Sequence, residues 1–257
     1  DAQEICTHDY GEGLDGVLSQ RRDRLQGILN GIDTAKYTPK RAPYPFSPED
    51  LSGKAQCKAA LQQELGLPVR SDVPLLALIS RLTDQKGLDL LAGCLGQLLG
   101  GDIQLCILGT GDQHYEHMLE GAAAMAPGKM AVRLTFDEAL SQRIYAGADI
   151  LLMPSLFEPC GLNQMIAMAY GTLPVVRETG GLKDSVVPYN KFTGEGNGFG
   201  FRNPNPQELE QCVSTAAALY REDPEAWTAL QHQAMARDFG WKASAKQYMA
   251  IYRMLTK

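Results

Sequence analysis

The chain carries no excess of positive charge: 24 Lys and Arg face 30 Asp and Glu, a formal net charge of −6. The basic footprint of a nucleic-acid binder is therefore missing, and no Lys/Arg run suits an anionic membrane surface. No apolar run approaches the ~20 residues of a bilayer span. The six cysteines (Cys6, Cys57, Cys94, Cys106, Cys160 and Cys212) include no C-x-x-C pair, which excludes the usual zinc and redox spacings. The four histidines, His8, His114, His117 and His232, match no ligand spacing, so neither a metal nor a cofactor is expected. There is no G-x-S-x-G elbow for a nucleophilic serine and no G-K-[ST] of a phosphate-binding P-loop.

The N-terminal DAQEICTHDYGEG is polar and acidic, unlike a signal peptide. Opening on Asp1 without a starting element, the chain reads as a piece of a longer protein. Cys94 and Cys106 sit in apolar patterns and are expected as buried thiols, in a reducing, cytosol-like compartment.

What is present is alternation. Residues 1–24, punctuated by Gly11, Gly13 and Gly16, read as a connecting segment. Leu25 to Leu29 is expected as a short first strand ending in the Asn30-Gly31 turn. A proline-rich loop at 36–53 leads to a helix capped by Ser52, running to Leu65 and stopped by Gly66. Strands are then expected at Leu75–Ile79, Ile103–Leu108, Val132–Phe136, Ile150–Met153 and Leu173–Arg177, with helices between them. Apolar strands alternating with helices predict a parallel sheet covered on both faces, a doubly wound Rossmann-like α/β domain over 25–240. After a glycine-rich loop, FTGEGNGFGF at 192–201, three helices close the chain.

In such a fold ligands lie beyond the carboxyl ends of the strands, and the polar residues of interest fall there. Arg81 and Lys86 leave one strand end five residues apart. Arg grips phosphate oxygens bidentately and Lys adds a compact charge, although two solvated surface cations would look the same. Gly109-Thr110-Gly111-Asp112 begins like a dinucleotide fingerprint but lacks its third glycine; a tight turn explains it equally well. Glu158 precedes Pro159, Cys160 and Gly161 at the start of a helix over 162–170, so a carboxylate stands beside a natural anion site. Alternatively it merely complements the helix dipole. The strand over 173–177 runs into Thr179-Gly180-Gly181-Leu182.

Linked together, ILNGID (28–33), SRLTDQKG (80–87), LGTGD (108–112), PSLFEPCGLNQ (154–164) and YGTLPVVRETGGLKDSV (170–186) resemble the glycogen and starch synthases. FTGEGNGFGF is similar to a loop of the bacterial enzymes, and the match runs from Gly11 to the last helix. The resemblance implies the C-terminal half of a two-domain GT-B glycosyltransferase that retains configuration, with ADP-glucose as donor and an α-1,4-glucan as acceptor. By that likeness Arg81 and Lys86 would hold the departing diphosphate and Glu158 would stand by the donor glucose. Gly161, Leu162 and Asn163 would meet phosphate at the helix start, and Asn30 would approach the sugar. Phe136 falls where the family often has Tyr beside adenine, so ring stacking survives without a hydroxyl. Gly109, Thr110, Cys160, Thr179, Gly180 and Gly181 complete the expected substrate-binding set. Asn163 stands where Thr or Gly is common, and Ile166 where related transferases carry a second Glu.

The family's N-terminal Rossmann domain, with its K-x-G-G-L loop, is not in the sequence. The last helix, 241–257, would pack on it, and the isolated half is expected to be inactive. Location follows the relatives: bacterial cytoplasm, or alternatively a plastid stroma. A UDP-sugar-dependent transferase half and a non-catalytic binding module are the competing readings.

Overall fold

The computed structural model describes residues 2–256. Residues 2–24 hold a 3-10 turn at Glu4–Cys6, a short helix α1 (Asp15–Ser19) and a second turn at Arg22–Arg24. Helix α2 spans Ser52–Leu65. The alternation then follows as β1 (Leu75–Ile79), α3 (Leu88–Gly100), β2 (Gln104–Leu108), α4 (Gln113–Met125), β3 (Met130–Arg133) and α5 (Glu138–Gly147). It continues as β4 (Ile150–Met153), α6 (Asn163–Ala169), β5 (Leu173–Arg177), α7 (Gly180–Ser185) and β6 (Phe199–Phe201). Helices α8 (Pro206–Glu222), α9 (Pro224–Met235) and α10 (Trp241–Leu255) finish the chain.

All six strands pair in parallel, in the order β3-β2-β1-β4-β5-β6. The order reverses between β1 and β4. There the connections leave to opposite faces and a crevice opens at the carboxyl ends. Leu75, Leu76 and Ala77 of β1 and Ile150 of β4 are completely buried, as continuous apolar strands covered on both faces must be. Each such leucine contributes about 2 kcal/mol of burial.

The opposite edge is fastened by two buried lysines of α2. Lys58 Nζ lies 2.7 Å from Asp149 Oδ2, and that carboxylate also accepts the Leu75 amide at 2.7 Å. Lys54 Nζ donates to the carbonyls of Ala146 (3.2 Å) and Ala148 (2.9 Å) and to Thr172 Oγ1 (2.8 Å). Burial lowers its pKa to about 8. These contacts close the amino-terminal edge with satisfied polar groups and leave the carboxyl edge free for a ligand.

Four local expectations are corrected. Residues 25–29 are extended but belong to no ladder; the Leu29 carbonyl instead accepts Ser244 Oγ of α10 at 2.7 Å. Strand β3 lies two to three residues earlier than its apolar run suggests, because Leu105 of β2 already pairs with Met130. Ser52 opens α2 without capping it; Asp50 Oδ1 accepts the Ser52 amide at 3.0 Å. The Gly180-Gly181 loop is the first turn of α7, and β6 emerges from the end of the glycine-rich loop.

Candidate functional site

The loops after β1 and β4 meet at the switch point. Gln85 and Leu156 knit them together: the Leu156 amide donates to the Gln85 carbonyl (2.9 Å) and Gln85 Nε2 to the Phe157 carbonyl (3.1 Å). The approach is close enough to require glycine at position 87. Gly87 has φ +71, and a Cβ there would stand 2.0 Å from the Pro154 carbonyl oxygen. Across this seam Lys86 Nζ contacts Glu158 Oε2 at 2.5 Å, and Ser155 Oγ reaches the same oxygen at 3.2 Å. Glu158 is buried and Lys86 half-buried, so water screens the pair poorly. Arg177, buried at the end of β5, donates from Nε to the Ser155 carbonyl at 2.9 Å and from Nη2 to that of Leu156. It thereby fixes the backbone that carries Glu158.

Beside the ion pair opens a cavity of about 490 Å³, lined by Arg81, Gly109, Thr110, Phe136, Leu162 and Asn163 among others. Lys86 and Glu158 lie outside its lining, on the adjoining loops. The Phe136 ring is 89 % exposed, so one of its faces is available to a planar group. The hydroxyl oxygens of Ser80 and Thr83, on either side of Arg81, are buried and without a hydrogen-bond partner among the described residues.

The predicted residues thus form two adjoining groups. The first lines the cavity. The second gathers around Glu158: the Asn30 amide donates to Cys160 Sγ at 3.4 Å, and Gly181 donates its amide to the Glu158 carbonyl at 3.0 Å. A Cβ on Gly181 would lie 2.1 Å from the Cys160 carbonyl, which places 160–161 and 180–181 in contact. Several donors are less free than the sequence suggested. Asn163 Nδ2 is committed to the Ile79 carbonyl at 2.7 Å, tying α6 to β1. Thr110 Oγ1 and the Gly111 amide both donate to Glu116 Oε1, so the G-T-G turn is closed by its own helix. The Glu116 carboxyl is lowered from the ordinary range, first by the Thr110 hydroxyl.

Sequence reading missed Lys36, Tyr37 and Tyr145 on the opposite wall of the cavity. Lys36 and Tyr37 face Asp137, Glu138 and Tyr145, and Lys36 Nζ forms an ion pair with Glu138 Oε1. Asp137 caps α5 through the Leu140 amide at 2.8 Å, an N-cap signal the sequence does carry. Among the described residues no group of three or more His, Cys, Asp or Glu side chains could hold a metal ion, and no helix is long and apolar enough to cross a membrane.

Residues 64–228 match the family described as glycosyl transferases group 1. The glycogen synthase of Lactiplantibacillus plantarum is 51 % identical over 260 residues, covering 100 % of this chain and 54 % of the relative. That of Geobacillus thermodenitrificans is 49 % identical, covering 99 % and 53 %. The chain spans about half the length of the curated relatives it matches. Among solved structures, the catalytic domain of starch synthase IV from Arabidopsis thaliana, bound to ADP and acarbose, superimposes with a TM-score of 0.91 at 38 % identity, over 98 % of this chain and 53 % of that one. Sucrose-phosphate synthase of Thermosynechococcus elongatus, at 23 % identity and a TM-score of 0.63, shares the fold. The expected class holds: a doubly wound parallel sheet corresponding to one half of a GT-B glycosyltransferase, similar to glycogen and starch synthases. By the family match, which covers well over half of its residues, the chain belongs to the group 1 glycosyl transferases.

Proposed function

We propose that the chain is the C-terminal, donor-binding half of a glycogen (starch) synthase, which transfers glucose from ADP-glucose to the non-reducing end of an α-1,4-glucan with retention. The observation that carries this is the Lys86–Glu158 pair at the switch point, immediately beside a cavity holding Arg81 and an uncovered Phe136 ring. The nucleotide base stacks on Phe136, and the diphosphate lies toward Arg81, Lys86 and the Gly161–Asn163 turn. The buried Ser80 and Thr83 hydroxyls flank Arg81 and gain a phosphate partner. Glu158 and Asn30, with Cys160 and Thr179-Gly180-Gly181 behind them, face the donor sugar.

As the bond from the glucosyl carbon to the phosphate oxygen breaks, charge separates. The leaving ADP oxygen becomes negative and is met by Arg81 and Lys86, while positive charge on the sugar is met by the Glu158 carboxylate. Lys86 links the two ends, since its ammonium already touches Glu158. The acceptor hydroxyl attacks on the face from which ADP departs, forming the new bond to the glucosyl carbon and passing its proton to the leaving phosphate oxygen.

Residues 1–24 serve as the inter-domain connection, 25–240 as the donor-binding domain and 241–257 as the helix that docks on the N-terminal Rossmann half; residues 1 and 257 lie outside the described residues. Trp241, Tyr248, Met249 and Tyr252 of α10 are exposed apolar side chains, as such docking requires. Closure of the two halves excludes water and completes the acceptor site, so the half alone does not turn over. By the likeness to bacterial glycogen synthases, we place the reaction in the cytoplasm.

The test is glucose transfer from ADP-glucose to glycogen. The full-length enzyme should be active and this chain inactive; turnover by the chain alone would refute the half-site account. Activity only with UDP-glucose would assign the chain to a UDP-sugar transferase. Binding of glycogen without any transfer by the full-length protein would mark a binding module.

A further inference from the structure

The connecting segment does more than link two halves, because it grips the loop that carries Glu158 at two points. The Glu4 carboxylate accepts the Gly180 amide with both oxygens, at 3.0 and 2.7 Å, and the Thr179 hydroxyl at 3.4 Å. The next amide, of Gly181, donates to the Glu158 backbone carbonyl. Consecutive amides of one turn therefore hold the Glu4 side chain and the Glu158 main chain. The packing is tight: with φ +46 at Gly180, a Cβ there would fall 2.1 Å from the Glu158 carbonyl oxygen. Six residues on, Tyr10 stacks on Phe157, the neighbour of Glu158, with ring centroids 6.0 Å apart. The Tyr10 hydroxyl accepts from Arg177 Nη2 at 3.3 Å, and Arg177 holds the carbonyls of Ser155 and Leu156.

We infer that Glu4 is a positioning residue for Glu158: it fixes the Gly180-Gly181 turn, which fixes the carboxylate loop against Lys86. Two features support this over a purely structural role. A charge-assisted bond to a backbone amide is stronger than a neutral one, and Glu4 applies it one residue from the amide that bears on Glu158. The remaining grip, Tyr10 on Phe157, falls on the same loop from its other side. Glu4 lies in the connecting segment, so the grip ties the geometry of the catalytic loop to the seat of that segment. The catalytic consequence rests on the transfer reaction proposed above; the positional consequence does not.

Two measurements test it. In this chain, amide hydrogen exchange at Gly180 and Gly181 is followed by NMR in wild type, Glu4→Ala and Glu4→Gln. Loss of the carboxylate should speed exchange at both glycines by tenfold or more, with Glu4→Gln, which retains one acceptor oxygen, in between. Unchanged protection at Gly181 would overturn the inference. In the full-length enzyme, Glu4→Ala should lower kcat about ten- to hundred-fold, the scale of a ~1 Å misplacement. The donor KM should stay within about threefold, and Glu4→Gln should recover part of the loss. A raised KM with unchanged kcat, or no change in either, would overturn it. Should Glu4→Ala fold poorly, Glu4→Gln, which preserves side-chain volume, decides. A full-length wild type without glucosyl transfer would refute the functional reading alone, and the exchange data would still judge Glu4.

Discussion

Replacing Gly87 with alanine is a one-methyl test of the seam between the β1 and β4 loops. Two costs follow from its position. The backbone sits at φ +71, where a Cβ costs about 1–2 kcal/mol. That Cβ would also lie 2.0 Å from the Pro154 oxygen and 2.7 Å from its carbonyl carbon. Both are backbone atoms, so no side chain can swing away. Ordinary contact begins near 3.4 Å, so the loops must part by roughly 1.4 Å, an overpacking cost of about 1–3 kcal/mol. The expected loss of stability is therefore about 2–5 kcal/mol, read as a lower urea midpoint with unchanged slope. Gly96, in the middle of α3 and with open space for 4 Å around the point a Cβ would occupy, is the internal control. Gly96→Ala should raise stability by about 0.5–1 kcal/mol through helix propensity. Since parting the loops also separates Lys86 from Glu158, Gly87→Ala should depress turnover of the full-length enzyme about a hundred-fold. A Gly87→Ala midpoint at or above wild type would be incompatible with so close a seam.

Other perturbations address the rest of the molecule. Lys86→Met strands the buried Glu158 carboxylate and should cost about 3–5 kcal/mol, much of it recovered by adding Glu158→Gln; a double-mutant cycle by urea unfolding reads the coupling, and additive losses would contradict it. Lys54 has a folded pKa near 8 against 10.5 for the free side chain. Between those values the unfolded chain binds more protons, so folding gains stability as pH rises from 8 to 10.5, on the order of 3 kcal/mol. Comparing urea midpoints of wild type and Lys54→Met across that range should show the wild type gaining relative to the variant; parallel curves would disprove it. Burial pushes the Cys94 thiol up to about 11 and those of Cys106 and Cys212 to about 12. Ellman's reagent at pH 8 should accordingly leave these three unreacted in the native chain and titrate all six thiols in denaturant.

Most of the sheet was legible because parallel strands are buried on both faces and advertise themselves as apolar runs. Leu75–Ile79, Ile150–Met153 and Leu173–Arg177 are such runs, and their ends agree with the structure. The failures have local causes. Leu25–Leu29 is apolar but only half-buried, and its backbone partner is α10, which no local pattern announces. Strand β6, Phe-Gly-Phe, hides inside a glycine-rich stretch, since the glycine that weakens a strand signal is needed where Gly200 packs against Glu178 and Pro188. The motif residues were readable one by one, and the order of strands brought them together at the switch point. Their partners were not readable: Arg177 beneath the Glu158 loop, Lys36 against Glu138, and Glu4 on Gly180 are contacts between segments far apart in sequence.

The proposed function depends above all on the cavity beside Lys86 and Glu158 being a nucleotide site. Isothermal titration of this chain with ADP and with UDP measures it directly, using wild type, Arg81→Ala and Phe136→Ala. ADP should bind measurably and more tightly than UDP. Arg81→Ala, which removes the phosphate grip, and Phe136→Ala, which removes the stacking face, should each weaken ADP at least tenfold. Equal affinity for the two nucleotides, or ADP binding indifferent to both substitutions, would contradict it.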